Sequence, residues 1–388
     1  MKIAFLYGPF TLGNHQFDFD HLYDDQRGLT GSEYSYIRIA EEFHKLGHEI
    51  VLYTLACKSR PYYHLLVKSF SDISSINNSY DAVISWNEFN CLKLIPTNCL
   101  KLVNLQINGF EHCYPGFDSY FDVVTSPSLA HQQRLLSNNH LLFDGSSFIL
   151  DHSKSDVLTN GCDPFVYDQL SKLGITKVPG RFIWASSPDR GLHWLLQEWP
   201  KIKKAIPKAH LKIFYRVKPW LSHFLSLEKK DLSFEDSLVH QRSRAFYIAE
   251  ALKKLSNHDI SLVDSVSRHQ INKEMYESQI MAYPCDTVNW TEGFSVSLME
   301  ACAAGVIPIT SDVDALGSIY GSHIPTIKSP IGNHLEEFTE TVIKSITNLE
   351  YGNEIIKKAK ELSQMYTWEI KAKELEALIT KHRERLNK

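Results

Sequence analysis

A dominant charge of one sign is missing from this chain. Lys and Arg number 41 against 45 Asp and Glu, a net charge of −4 at neutral pH. No electrostatic footprint for nucleic acid is visible. Long apolar runs are also missing: none approaches the ~20 residues that a helical membrane span requires. The seven cysteines, at 57, 91, 99, 113, 162, 285 and 302, form no C-x-x-C pair and are odd in number. They read as reduced, mostly buried thiols of a cytoplasmic protein, against a disulfide framework. G-x-G-x-x-G is absent, which removes the dinucleotide fingerprint. The eighteen histidines are spread along the chain, and no metal is read from their spacing.

What is present is a repeated α/β theme over 388 residues, long enough for two domains with separate cores. Met1 to Pro9 reads as a short strand and a turn, too short for a signal peptide. Ile3 to Tyr7 is a continuous apolar run, as in a strand buried on both faces. A polar, aromatic loop from Phe10 to Arg27 leads to Gly28-Leu29-Thr30-Gly31-Ser32-Glu33 and then a helical pattern. Ser32 and Glu33 are either ligand contacts or plain helix capping and dipole pairing. Strands are expected at 49–54, 82–86, 100–105, 122–126 and 148–150. The loop after the 100–105 strand holds Gln106, Asn108, Glu111 and His112. In an open parallel sheet such loops face the ligand crevice.

The chain restarts after the turn Asn160-Gly161-Cys162-Asp163-Pro164. The reading is residues 1–170 as one Rossmann-like domain, 171–365 as a second, and 366–388 as a C-terminal helix. A strand at 181–185 runs into Ser186-Ser187-Pro188-Asp189-Arg190-Gly191 and an amphipathic helix. Arg190 lies at that helix start, where the dipole disfavours a cation. It reads as a phosphate ligand or as a solvated surface residue.

The stretch Asn289 to Asp312 reads as loop, helix, turn and strand. Gly293 lets the backbone approach a ligand. Ser295 is expected to cap the following helix with its hydroxyl. The helix start suits a phosphate. Glu292 falls in the loop and Glu300 about two turns into the helix. By spacing alone, the two carboxylates meet two parts of an elongated ligand, or they are decoration of a surface helix.

Four stretches in order make the chain resemble the retaining glycosyltransferases of the GT-B fold, family 4 (glycosyl transferases group 1). They are the glycine loop 28–33, Asn160-Gly161-Cys162-Asp163, Ser187 to Leu192, and the E-x7-E segment Glu292 to Gly305 with its A-x-A-x-G ending. The resemblance implies two Rossmann-like domains facing a central cleft, with the C-terminal helix crossing back to the first. It implies hexose transfer from a nucleotide sugar to a glycan or other hydroxyl acceptor, with retention and no metal or other cofactor. Glu292 and Arg190 would be catalytic. Gly31, Ser187, Arg190, Gly191, Glu292, Gly293, Phe294, Ser295, Leu298 and Glu300 would bind the nucleotide sugar, with Glu300 on the ribose. Ser32, Glu33, Asn108 and His112 would serve sugar or acceptor.

Departures from the family pattern are visible. Ala185-Ser186-Ser187 stands where many members have an Arg. Gln106 and Asn108, with His112 a few residues on, stand where many have a His. Tyr215-Arg216-Val217 replaces a glycine-rich turn, and Arg216 is a candidate for the missing phosphate charge. A nucleotide-sugar epimerase of the same fold, or a non-catalytic nucleotide-sugar-binding protein, are the alternative readings.

Overall fold

The computed structural model describes residues 1–386 except 9–18, 20, 56–59, 63, 96–97, 228–235 and 257. Most of the loop from Phe10, and Cys57, therefore lie outside the described residues. The chain forms two compact units. One comprises residues 1–22, 29–161 and 366–388; the other comprises 23–28 and 162–365.

The first unit is built on an eight-stranded sheet. Its strands are β1 (Lys2–Tyr7), β2 (Glu49–Thr54), β3 (Arg60–Tyr62), β4 (Leu65–Ser69), β5 (Ala82–Trp86), β6 (Leu100–Asn104), β7 (Val123–Ser126) and, after a hairpin of β8 (His140–Leu141) and β9 (Ser147–Phe148), β10 (Ser155–Val157). The spatial order is β10-β7-β6-β5-β1-β2-β4-β3. All sheet pairs are parallel except β3 with β4. Phe5 sits opposite both Leu52 and Ile84. This central strand is covered on both faces, which is why its sequence is apolar throughout. Helix α1 (Gly31–Lys45) lays Tyr36 and Phe43 against the sheet. Tyr36 meets Trp86 edge-on at 5.3 Å and Phe5 stacks on Trp86 at 5.7 Å. Such aromatic pairs add about 1 kcal/mol each beyond area burial. Helix α2 is Leu129–Ser137.

The expected strand at 148–150 is corrected here. Phe148 belongs to the small antiparallel hairpin, and the strand that closes the sheet beside β7 is Ser155–Val157. That strand is half-buried and polar at two of three positions, so no apolar pattern announces it.

The second unit has a six-stranded sheet, parallel throughout: β11 (Arg181–Trp184), β12 (His210–Phe214), β13 (Ile260–Val263), β14 (Ile280–Tyr283), β15 (Ile307–Ser311) and β16 (Thr326–Ile327). Its order is β13-β12-β11-β14-β15-β16. The helices are α3 (Pro164–Lys172), α4 (Leu192–Ala205), α5 (Val217–Ser226), α6 (Asp236–Lys254), α7 (Arg268–Glu277), α8 (Val296–Ala303), α9 (Leu316–Tyr320), α10 (Leu335–Thr347) and α11 (Leu349–Gln364). Trp199 of α4 packs edge-on to Phe182 at 5.0 Å. The last helix, α12 (Trp368–Leu386), is part of the first unit, where buried Trp368 meets Tyr34 at 5.8 Å.

In each sheet the strand order reverses once. β1 lies between β2 and β5, and β11 between β12 and β14. A doubly wound sheet opens a crevice at the C-terminal ends of its strands at such a reversal. In the second unit that point carries the loops 185–191 and 284–295. No helix among the described residues is long and apolar enough to cross a membrane.

Candidate active site

The loop after β11 makes a short 3-10 turn, Pro188–Arg190, and then Gly191 enters the left-handed region at φ 104°. A Cβ on Gly191 would stand 2.0 Å from the Pro284 carbonyl oxygen. Glycine is the residue that allows this close approach. The two loops therefore touch, and Arg190 is delivered beside Glu292. Arg190 Nε lies 3.9 Å from Glu292 Oε2, and its Nη1 lies 3.6 Å from Asp189 Oδ2. Burial alone would weaken the guanidinium's hold on its proton, but Asp189 and Glu292 outweigh it and raise the Arg190 pKa. The cation that looked misplaced at a helix start is answered by two carboxylates of its own unit. Ser187 donates its hydroxyl hydrogen bond to the Asp189 carboxylate.

Glu292 is held from several sides. The Tyr283 hydroxyl at the end of β14 donates to its Oε2 at 2.8 Å. Tyr283 also shares a 3.0 Å hydrogen bond with the Ser186 hydroxyl. The Glu292 main-chain N–H donates to Asp314 Oδ2 at 2.9 Å, and the Thr287 hydroxyl donates to the same oxygen at 2.7 Å. The Glu292 side chain is 12% exposed. Burial pushes its pKa up, while Arg190 and the Tyr283 hydroxyl pull it back. Burial likewise raises the carboxyl of Asp314, against the Glu292 N–H. A carboxylate fixed this way presents a rigid acceptor to a hydroxyl.

Helix α8 begins after Gly293, Phe294 and Ser295. The expected hydroxyl cap is corrected: Ser295 occupies the cap position at φ 65°, ψ 81°, and its side chain makes no cap hydrogen bond. A hydroxyl cap needs an extended backbone at that residue, and the left-handed turn turns Ser295 away from it. Order comes from Tyr320, whose hydroxyl donates to the carbonyls of Phe294 (2.9 Å) and Ser295 (3.0 Å). The Ser297 hydroxyl ties the first turn of α8 to the Ala185 carbonyl at 2.6 Å. Leu298 is fully buried, so it faces the core and contributes only main chain to the helix start.

Glu300 is not a solvated helix residue. Its side chain is 6% exposed and forms an ion pair with Arg268, itself 10% exposed, at the start of α7. The family resemblance points Glu300 to a ribose, and spacing along the chain does not reveal its ion pair with Arg268. Glu300→Ala would leave the Arg268 guanidinium buried without it, a loss expected to cost about 3 kcal/mol. Urea unfolding of the variant checks this; an unchanged midpoint would show that the pair contributes nothing.

The first-unit candidates form their own cluster. Gly31 is the first residue of α1, and Thr30 caps the helix. Glu33 closes a capping box: its carboxylate accepts from the Thr30 N–H at 2.6 Å, and its own N–H donates to the Thr30 hydroxyl at 3.3 Å. Glu33 is thus occupied by capping. Ser32 accepts from the Asn87 amide at 3.4 Å. Asn87 has φ 57° and its carbonyl takes the His112 Nε2 donor at 3.0 Å. Burial lowers the His112 pKa, so the ring is neutral at pH 7. Gln106 bridges Asn104 (2.9 Å) and Asn160 (2.7 Å). Asn108 is half-buried. Arg216 of the second unit is exposed and 3.8 Å from Asp264.

Sequence reasoning missed Tyr283, Asp314 and Arg268. Tyr283 ends an apolar strand and reads as core. Asp314 is one of several polar residues after β15. Arg268 sits in a helix with no motif around it. Among the described residues, no group of three or more His, Cys, Asp or Glu is placed to hold a metal. Cys91, Cys113, Cys285 and Cys302 are buried free thiols.

Residues 182–362 match the family described as glycosyl transferases group 1. The whole chain is similar to several solved structures. One is AviGT4, a glycosyltransferase involved in avilamycin A biosynthesis: 14% identity, 99% of this chain and 97% of that chain covered, TM-score 0.65. Another is sucrose-phosphate synthase from Thermosynechococcus elongatus: 11% identity, 98% of each chain covered, TM-score 0.67. A third is Anabaena Alr3699/HepE in complex with UDP and glucose: 13% identity, 98% of this chain and 100% of that chain covered, TM-score 0.62. No curated protein matches the chain.

Proposed function

With the GT-B glycosyltransferase group 1 fold as premise, we propose that this chain moves a hexose from a nucleotide diphosphate sugar to a glycan or other hydroxyl acceptor, with retention at the anomeric carbon. The observation that carries the reading is the placement of Arg190 3.9 Å from Glu292, ahead of the α8 N-terminus and at the strand-order reversal of the second sheet. The UDP and glucose held by the Anabaena structure are consistent with a nucleotide sugar as donor substrate.

Each group has a role that its surroundings support. The α8 N-terminus offers unpaired N–H groups and positive dipole character to a diphosphate. Arg190 adds a full charge where negative charge grows as the diphosphate departs. Stabilising that developing charge is the main catalytic contribution. Glu292, fixed by Tyr283 and Arg190, accepts from sugar hydroxyls. Glu300 accepts from the ribose through the oxygen that Arg268 does not hold. The departing diphosphate takes the proton of the incoming hydroxyl on the same face of the sugar, which retains configuration. Arg190 and the helix start supply the positive charge that a divalent metal supplies elsewhere, so chelator is expected to leave the rate unchanged.

The test is a panel of UDP-, GDP- and ADP-sugars, read by thermal stabilisation and by mass spectrometry of products. The expected result is stabilisation by one nucleotide class, slow acceptor-free hydrolysis of its sugar, and transfer when a hydroxyl acceptor is supplied. Conversion of a sugar nucleotide to its epimer, or binding with no turnover across acceptors, would overturn the transfer reading. Within that assay, Glu300→Ala is expected to raise the KM for the nucleotide sugar strongly.

A further inference from the structure

Arg244 lies in the middle of α6, outside both loops of the site, in a segment whose sequence carries no motif. Its side chain is 13% exposed. Its Nη1 donates to two main-chain carbonyls, those of Asp189 and Asp286. Its Nη2 donates to the Asp286 carboxylate at 2.9 Å. Asp189 belongs to the loop that delivers Arg190; Asp286 opens the loop that delivers Glu292. Trp194 of α4 donates its indole N–H to the same Asp286 oxygen at 2.9 Å. The Asp286 N–H reaches back to the Arg190 carbonyl at 3.3 Å.

We infer that Arg244 is a positioning residue that fastens the Arg190 loop to the Glu292 loop and so sets the spacing between these two groups. The inference rests on the glycosyl-transfer reading of that site. The physical case is one of valence. Asp189 sits in the single 3-10 turn Pro188–Arg190 and Asp286 in the loop after β14, so neither carbonyl belongs to a sheet ladder or a long helix. A planar guanidinium presents several N–H donors in fixed directions and can serve two carbonyls and a carboxylate at once. An ammonium is a point charge on a flexible stem and does not reproduce that fork. The same charge bears on His193, the second residue of α4: burial first, then Arg244, hold its imidazole at about 3. His193 is therefore neutral beside Asp286, and the arginine is the cation that Asp286 receives.

The test compares Arg244→Ala and Arg244→Lys with the unaltered chain. Amide hydrogen exchange is followed at residues 185–191 and 285–293, with β11 and β14 as internal reference. Faster exchange in both loops of each variant, with the strands unchanged, is the expected result. In the transfer assay, kcat is expected to fall about 10²-fold, the scale of a misplacement near 1 Å, with the KM for the nucleotide sugar within about 3-fold. Added guanidinium at sub-denaturing concentration is expected to restore part of the Arg244→Ala rate. Unchanged exchange in both loops, or a folded variant with unaltered kcat, overturns the inference. Arg244→Lys keeps the charge and guards against an alanine variant that fails to fold. If the unaltered chain transfers no sugar at all, the glycosyl-transfer reading fails, and the exchange experiment still judges the fastening by itself.

Discussion

Arg190→Ala and Glu292→Ala are each expected to lower turnover by at least ~10², the scale of losing one preorganised transition-state contact. The two variants act on the same 3.9 Å pair but differ in their pH signature. In the unaltered chain, burial raises the Glu292 carboxyl and Arg190 opposes that rise. Removing Arg190 leaves burial less opposed, so the carboxyl holds its proton to higher pH. The acidic limb of the rate profile of Arg190→Ala is therefore expected to move upward in pH. Steady-state rates against pH check this. A rate close to that of the unaltered chain in both variants would sink the site assignment. A large rate loss with an unmoved acidic limb would show that the two groups act independently.

Gly191→Ala is expected to cost about 4 kcal/mol, from left-handed strain and overpacking together. The new Cβ would need the space now held by the Pro284 carbonyl oxygen, 2.0 Å away, at a backbone φ of 104°. Main chain cannot swing aside as a flexible side chain would. The β11 and β14 loops would have to part, taking Arg190 away from Glu292. Gly47→Ala separates the two contributions: Gly47 has φ 89° but nothing within 4 Å of a Cβ, so only the left-handed strain of about 1–2 kcal/mol is expected. Urea unfolding of both variants checks the contrast. Equal losses would mean that contact with Pro284 does not constrain the loop.

These expectations rest partly on sequence and partly on folding. The two sheets were legible in the chain because buried parallel strands are continuous apolar runs. Ile3 to Tyr7 and Ile280 to Tyr283 show it plainly, whereas the boundary read at 170/171 differs from the change of unit between Gly161 and Cys162. Ser155–Val157 was not legible, because an edge strand of three half-buried residues carries no such run. The helix Pro164–Lys172 is not legible either, because it buries only Tyr167.

Within the site, local sequence determined the E-x7-E segment, the basic residue before Gly191 and the helix that follows Ser295. A residue type at a fixed spacing along one segment is a local property. Tertiary structure alone decided which charges meet. Tyr283 and Asp314 are brought to Glu292, Arg268 to Glu300, and Arg244 to both loops. Ser295 shows the same division: its sequence favours a hydroxyl cap, yet the left-handed turn and the Tyr320 hydroxyl order the helix start instead. Sequence therefore named the two carboxylates and the cation. Only the packing of separate strands and helices could give each its partners, because hydrogen bonds and ion pairs depend on distance in space and not along the chain.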